Sequence, residues 1–197
     1  MSEHDPHEGP LVLVVCTGNI ARSPFAAVLL AHEAARRLAP GRVRSAGVHG
    51  LHGHGAVVEM VDAARSRGLD LVPHRGARVT VDDLRASGIV IAMEEAQRDA
   101  MVRLAPDARE RVFTLKELAR LTAGMGPVDV PDEPHARIEA IARAAHEARP
   151  LVRRPHTPED VEDPYGGTAE EYDACVAEIE TLVAAVAEPL FGSARDE

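Results

Sequence analysis

A cysteine, an arginine six positions later and an aspartate near the far end of the chain are the side chains whose types and spacing could do chemistry. The run Val15-Cys16-Thr17-Gly18-Asn19-Ile20-Ala21-Arg22-Ser23-Pro24 puts a thiol at one end of a loop and a guanidinium at the other. Backbone N–H groups from Thr17 to Ser23, backed by a helix N-terminus, would form an anion site. A thiol at the mouth of such a nest is expected to have a depressed pKa and to be a thiolate near neutrality. Arg22 offers a planar fork that grips two phosphate oxygens, which lysine cannot do. Thiolate and guanidinium together suit in-line attack on phosphorus. Ser23 can donate a hydrogen bond to the sulfur and help it leave. Gly18 and Asn19 tolerate the positive φ values that turn N–H groups inward. The loop lacks the Gly-Lys-Ser/Thr ending of a nucleotide-binding loop, so an NTPase is excluded.

Cleaving a phosphate ester at neutral pH also calls for a general acid. Among 32 acidic residues, Asp163 stands out in Asp163-Pro164-Tyr165-Gly166-Gly167, at the end of a long connection. The neighbouring acids Glu159, Asp160 and Glu162 are expected to crowd it with like charge and favour its protonated form. An Asp-Pro-x-Gly run is also a common way to turn into a helix, so position alone leaves Asp163 with two readings.

Elements must bring these groups together. Leu11–Val15 reads as a strand buried on both faces, and Pro24 opens a helix to about Leu38, stopped by Pro40-Gly41. Strands are expected at Val43–Ala46, Ile89–Met93 and Arg111–Leu115. Helices are expected at Ala56–Arg67, Val81–Ala86 (one or two turns), Glu94–Leu104, Glu117–Leu121 and Ala169–Leu190. The last has an apolar stripe of Tyr172, Cys175, Ile179, Leu182, Val183 and Val186. This alternation predicts an α/β fold with a mainly parallel sheet, and ligands in such sheets bind at the carboxyl ends of strands. Residues 1–10 read as a disordered polar tail and 11–197 as one domain. About 123–162 reads as an extended connection holding one amphipathic helix, Ala136–Ala148.

Composition narrows the function classes. The 197 residues carry a formal charge of −10, which opposes general nucleic-acid or anionic-membrane binding. No apolar run approaches the ~20 residues that span a bilayer, and the polar, acidic start lacks a signal-peptide pattern, so a cytoplasmic protein is expected. Two distant cysteines support neither a disulfide framework nor a four-ligand zinc site. His49, His52 and His54 lie in a glycine-rich loop with no helix-face spacing and no acid or cysteine beside them, so a surface loop is expected there.

Taken together, VCTGNIARSP and DPYGG resemble the low-molecular-weight protein tyrosine phosphatases, in their bacterial branch. The likeness continues through Ser45-Ala46-Gly47, His74, Ile89–Met93 and Arg111–Leu118, and covers most of the chain outside the long connection. The resemblance implies a three-layer α/β/α fold around a four-stranded parallel sheet, and a two-step, metal-free and cofactor-free reaction through a phosphocysteine. Cys16 would then be the nucleophile, Arg22 the phosphoryl clamp and Asp163 the general acid and base. Asn19 and Ser23 would hold the loop, and Tyr165 would wall the cleft with Ile20. The partners would be phosphotyrosine-containing proteins, with neither nucleic acid nor membrane.

The departures are informative. Ala21 stands where many members carry a second cysteine, so disulfide protection of Cys16 within the loop is not available. Ile20 stands where protein-arginine phosphatases carry threonine, and its apolar face suits a phenyl ring. Phosphoarginine is therefore the alternative substrate. Arsenate reduction, which needs additional redox cysteines, is disfavoured because Cys175 falls on a core stripe.

Overall fold

The β-branched run at the N-terminus forms β1 (Val12–Cys16), every residue of which is buried. The structure, a computed structural model, describes residues 12–37 and 43–193. The tail at 1–10, Leu11, and the helix stop at 38–41 lie outside the described residues. β1 pairs with β2 (Val43–Gly47) on one side and β3 (Ile89–Ala92) on the other. β4 (Val112–Thr114) completes the order β2-β1-β3-β4, with every pairing parallel. The crossover direction changes at β1, so the ends of β1 and β3 flank the crevice where such sheets bind ligands.

Side chains alternate along a strand, and this decides which layer holds the thiol. Val12, Val14 and Cys16 face the larger core, built with α1 (Arg22–Arg37), α2 (Val58–Arg65), α5 (Leu115–Gly124), α6 (Pro134–Ala148) and α7 (Ala169–Phe191). Leu13 and Val15 face a smaller core with α3 (Val81–Ala86), α4 (Glu95–Leu104) and the 3₁₀ segment Pro106–Arg111. The result is the expected α/β/α sandwich. No helix among the described residues is long and apolar enough to cross a membrane.

Local signals set the helix boundaries. Thr80, Thr114 and Thr168 each accept the N–H of the acidic residue three positions on, whose side chain reaches back to the threonine N–H. The Thr114–Glu117 box starts α5 at Leu115, two residues before the expected Glu117. Pro134 opens α6, where Glu133 accepts the N–H groups of His135 and Ala136 at 3.0 and 2.7 Å.

α6 lies inside the long connection, where the amphipathic stripe Ala136–Ala148 places a helix, and starts two residues earlier, at Pro134. Ile138, Ile141, Ala142 and Ala145 are buried in the main core, as the stripe predicts. The excursion leaves α5 at Gly124 and comes back at Val152, so near that a Cβ on Gly124 would stand 2.8 Å from the valine side chain.

Candidate active site

Cys16 ends β1, and the chain curls around its sulfur before entering α1. The Asn19 N–H donates to Cys16 Sγ at 3.3 Å, and Ser23 Oγ lies 3.0 Å from the same sulfur. One backbone N–H thus points at the buried sulfur, and the Ser23 hydroxyl, which donates to the Ala46 carbonyl at 3.3 Å, is its side-chain hydrogen-bond partner. Asn19 is the loop residue with positive φ, at 56°. Gly18 is not in the left-handed region, so the expectation of two such residues holds only for Asn19. The asparagine is also a strut: its Nδ2 donates to Ser23 Oγ (3.0 Å) and Ser45 Oγ (2.9 Å), and its Oδ1 accepts the Ala77 N–H (2.9 Å). His74 Nε2 stands 2.7 Å from the Asn19 carbonyl oxygen.

β2 closes on the same loop. A Cβ on Gly47 would lie 2.6 Å from the Thr17 carbonyl oxygen and 3.0 Å from Asn19 N, a space open only to glycine. Ser45-Ala46-Gly47 and His74, noted in the sequence, thus act as the loop's outer scaffold. Ala21 is buried, 4% exposed, at the position where other members carry a second thiol.

Arg22, 1% exposed, aims its guanidinium at the segment that carries the acid. Nη1 donates to Glu94 Oε1 and to the Val161 carbonyl (2.7 Å), and Nη2 donates to Asp163 Oδ2 at 2.6 Å. Its buried Nε has no protein partner, a donor suited to an incoming oxyanion. The structure therefore brings Cys16, Arg22 and Asp163 to one place from residues more than 140 positions apart.

The acid arrives by a chain of clamps. Arg120 donates two hydrogen bonds to the buried Glu159, at 2.7 and 2.9 Å. Hydrogen bonding to Glu159 holds the Arg120 pKa above its ordinary value, against the lowering effect of burial. Asp160 accepts the Glu95 N–H at 2.7 Å, capping α4, and the Val161 N–H donates to the Met93 carbonyl at 2.8 Å. Glu159 and Asp160 are thus turned to other partners, and the expected like-charge crowding of Asp163 gives way to its pairing with Arg22. A turn follows, with Gly167 N–H on the Pro164 carbonyl and Gly166 at φ 80°. It leaves Tyr165 63% exposed beside the acid.

Sequence reasoning missed three contributors. Glu94 holds Arg22 from the end of β3, and Gln97, 3% exposed, donates to Thr17 Oγ1 at 3.1 Å. Their signal is positional, since both follow the strand next to β1. Leu51 shares the rim with Ile20, both side chains within 4 Å of the place a Gly18 Cβ would take. Cys175 lies in the core, and burial pushes its pKa up to about 12, which keeps the thiol protonated at neutral pH. No metal-ligating cluster occurs among the described residues.

A model of the low molecular weight phosphotyrosine protein phosphatase family matches residues 11–144. The chain belongs to that family. It is 30% identical over 179 residues to a protein-arginine-phosphatase of Geobacillus stearothermophilus, covering 91% of this chain and 95% of that one. It is 40% identical over 103 residues to the low molecular weight protein-tyrosine-phosphatase Etp of Escherichia coli K12, covering 52% of this chain and 66% of Etp. Among solved structures, the YwlE arginine phosphatase, in a cysteine-to-serine mutant with a phosphorylated active-site serine, superposes with a TM-score of 0.67. That pair is 26% identical and covers 91% of this chain and 94% of the other. This member of the family is accordingly a phosphatase.

Proposed function

We propose that the protein hydrolyses phosphotyrosine in protein substrates through a phosphocysteine, with Cys16, Arg22 and Asp163 as its catalytic residues. The observation that carries the reading is the hydrogen bond that sets Asp163 on Arg22, at the end of the loop that curls around the Cys16 sulfur. The Cys16 sulfur attacks phosphorus, forming an S–P bond as the P–O bond to the tyrosine breaks, and Asp163 delivers a proton to the departing oxygen. Water then attacks the phosphocysteine, giving its proton to Asp163, and the sulfur leaves as thiolate beside Asn19 N–H and Ser23 Oγ. Loop N–H groups from Thr17 to Ser23 and the Arg22 guanidinium, through its open Nε, carry the phosphoryl charge in both steps. The phosphoserine of the YwlE mutant supports a covalent intermediate at this loop position. No metal enters either step, and EDTA is expected to leave turnover unchanged. The bacterial relatives support a bacterial setting.

The choice of tyrosine rests on the rim. Ile20 and Leu51 present apolar surface, and Tyr165 stands exposed by the acid. A guanidinium against Ile20 would leave N–H groups unpaired at ~1–3 kcal/mol each, about tenfold to hundredfold in rate. Phosphoarginine is the second reading, supported by the Geobacillus relative that spans nearly the whole chain. One assay with phosphotyrosine and phosphoarginine peptides decides between them. Wild type is expected to prefer phosphotyrosine, and Ile20→Thr to lose on phosphotyrosine and gain on phosphoarginine. A wild type that prefers phosphoarginine overturns the choice.

A further inference from the structure

A cavity of about 520 Å³ adjoins the catalytic nest on the α4 side. Thr17, the residue after the nucleophile, and Glu94, which holds Arg22, both stand in its wall. Its inner surface is apolar, with Val79 and Met101 buried beneath it, while Arg78, Arg103 and His49 are exposed along it.

The electrostatics of this cavity run against those of the molecule. The chain carries a net charge of −10, and nearby arginines are paired: Arg85 with Asp107, Arg98 with Asp99, Arg154 with Glu95. Among the described residues, the guanidinium groups of Arg78 and Arg103 meet no acid and make no hydrogen bond. The one carboxylate in the lining, Glu94, is turned to Arg22, which it shares with Asp163, and is outnumbered by the two free guanidinium groups. The cavity therefore presents uncompensated positive charge over an apolar floor, beside the nest. A carboxylate on a short aliphatic arm matches it: methylenes against Val79 and Met101, oxygens toward the two forks.

We propose that this cavity is a substrate subsite for an acidic side chain flanking the phosphorylated residue. The assignment rests on the phosphotyrosine reading above. It gives the cavity a role in selecting protein substrates and none in the chemical steps.

The test compares two phosphotyrosyl peptides, one with glutamates flanking the phosphoresidue and one with glutamines, alongside p-nitrophenyl phosphate. At low salt, wild type is expected to show about fivefold higher kcat/KM for the glutamate peptide, carried by KM, since solvent-exposed pairs are individually weak and screened by salt. Arg78→Gln/Arg103→Gln is expected to erase that advantage and Arg78→Glu/Arg103→Glu to invert it, with p-nitrophenyl phosphate turnover unchanged in both. Equal kcat/KM for the two peptides in wild type overturns the subsite, as does an advantage that survives in the double glutamine variant. Loss of p-nitrophenyl phosphate turnover in the variants also overturns it, because the arginines would then support the loop. Wild type that turns over p-nitrophenyl phosphate and neither peptide retires the phosphotyrosine reading, and the subsite falls with it.

Discussion

Two parts of the molecule meet at Arg22, and they are built differently. The loop from Cys16 to Ser23 is contiguous, begins on a strand with no exposed residue and is cross-braced by Asn19 to Ser23, Ser45 and Ala77. The segment from Glu159 to Thr168 is mostly exposed and is held through Arg120–Glu159, Asp160 on the α4 N-terminus and Val161 on Met93. The anion site is thus formed by one contiguous stretch and braced by Ser45, His74 and Ala77 from farther along the chain. The acid is docked from a distance by one charged pair, one side-chain cap and one backbone bond, and the first two can be removed without touching the loop. Binding of phosphate and protonation of its leaving group should therefore be separable by mutation.

The largest separation is expected at the nucleophile. Cys16→Ser should lower turnover by more than about 10³-fold while the loop N–H groups and Arg22 still bind phosphate. Calorimetric titration with phosphate and rapid-quench mass spectrometry of the wild-type phosphoenzyme check both halves. Phosphate trapped on another residue would refute the assignment.

At the docked side, Asp163→Asn removes the acid and leaves the nest. Turnover of phosphotyrosine should fall about 10²- to 10⁴-fold, and that of p-nitrophenyl phosphate, whose leaving group needs less protonation, should fall much less. Equal losses on both substrates would show that Asp163 acts only by bracing Arg22.

A smaller effect tests the clamp itself. Arg120→Met leaves the buried Glu159 with only Arg154, 4.0 Å away, so the melting temperature should drop, by less than the ~3–5 kcal/mol cost of wholly unpairing a buried charge. With Asp163 less well held, kcat for phosphotyrosine should fall about tenfold, with phosphate affinity unchanged. The same hold should loosen in acid. Burial pushes the Glu95 pKa up, but the Glu159 N–H and Arg154 outweigh it and leave it below the usual carboxylate value. Its contribution is therefore complete above the ordinary glutamate range and lost as pH falls through the lower folded value. Melting curves of wild type and Glu95→Gln should converge there.

This difference in construction also explains what could be read from residues alone. β1, the loop and the start of α1 are legible because their signals are adjacent: a β-branched run, Gly-Asn, then Ser-Pro. Asp163 was legible through its own Pro-Tyr-Gly-Gly turn. Its electrostatic surroundings were not, since Arg120 and the α4 N-terminus draw Glu159 and Asp160 away by contacts 39 and 65 positions distant. Glu94 escaped notice for the same reason, being one of 32 acids until the pairing of β3 with β1 sets it against Arg22. α5 began early because the Thr114–Glu117 box outweighs the apolar period used to place it.

The return of the chain to Gly124 at Val152 has a consequence for length. A loop whose two ends already touch gives closure entropy that grows only logarithmically, about 0.6 kcal/mol for each doubling of its residues. Insertions in the exposed stretch between α5 and α6 would lengthen the circuit without moving either end. The clamped residues Glu159, Asp160 and Val161 lie beyond the closing point and their partners Arg120, Glu95 and Met93 before it, so Asp163 is insulated from such changes. Relatives could thus vary the excursion from a few residues to a whole helix while the distance from acid to sulfur stays constant.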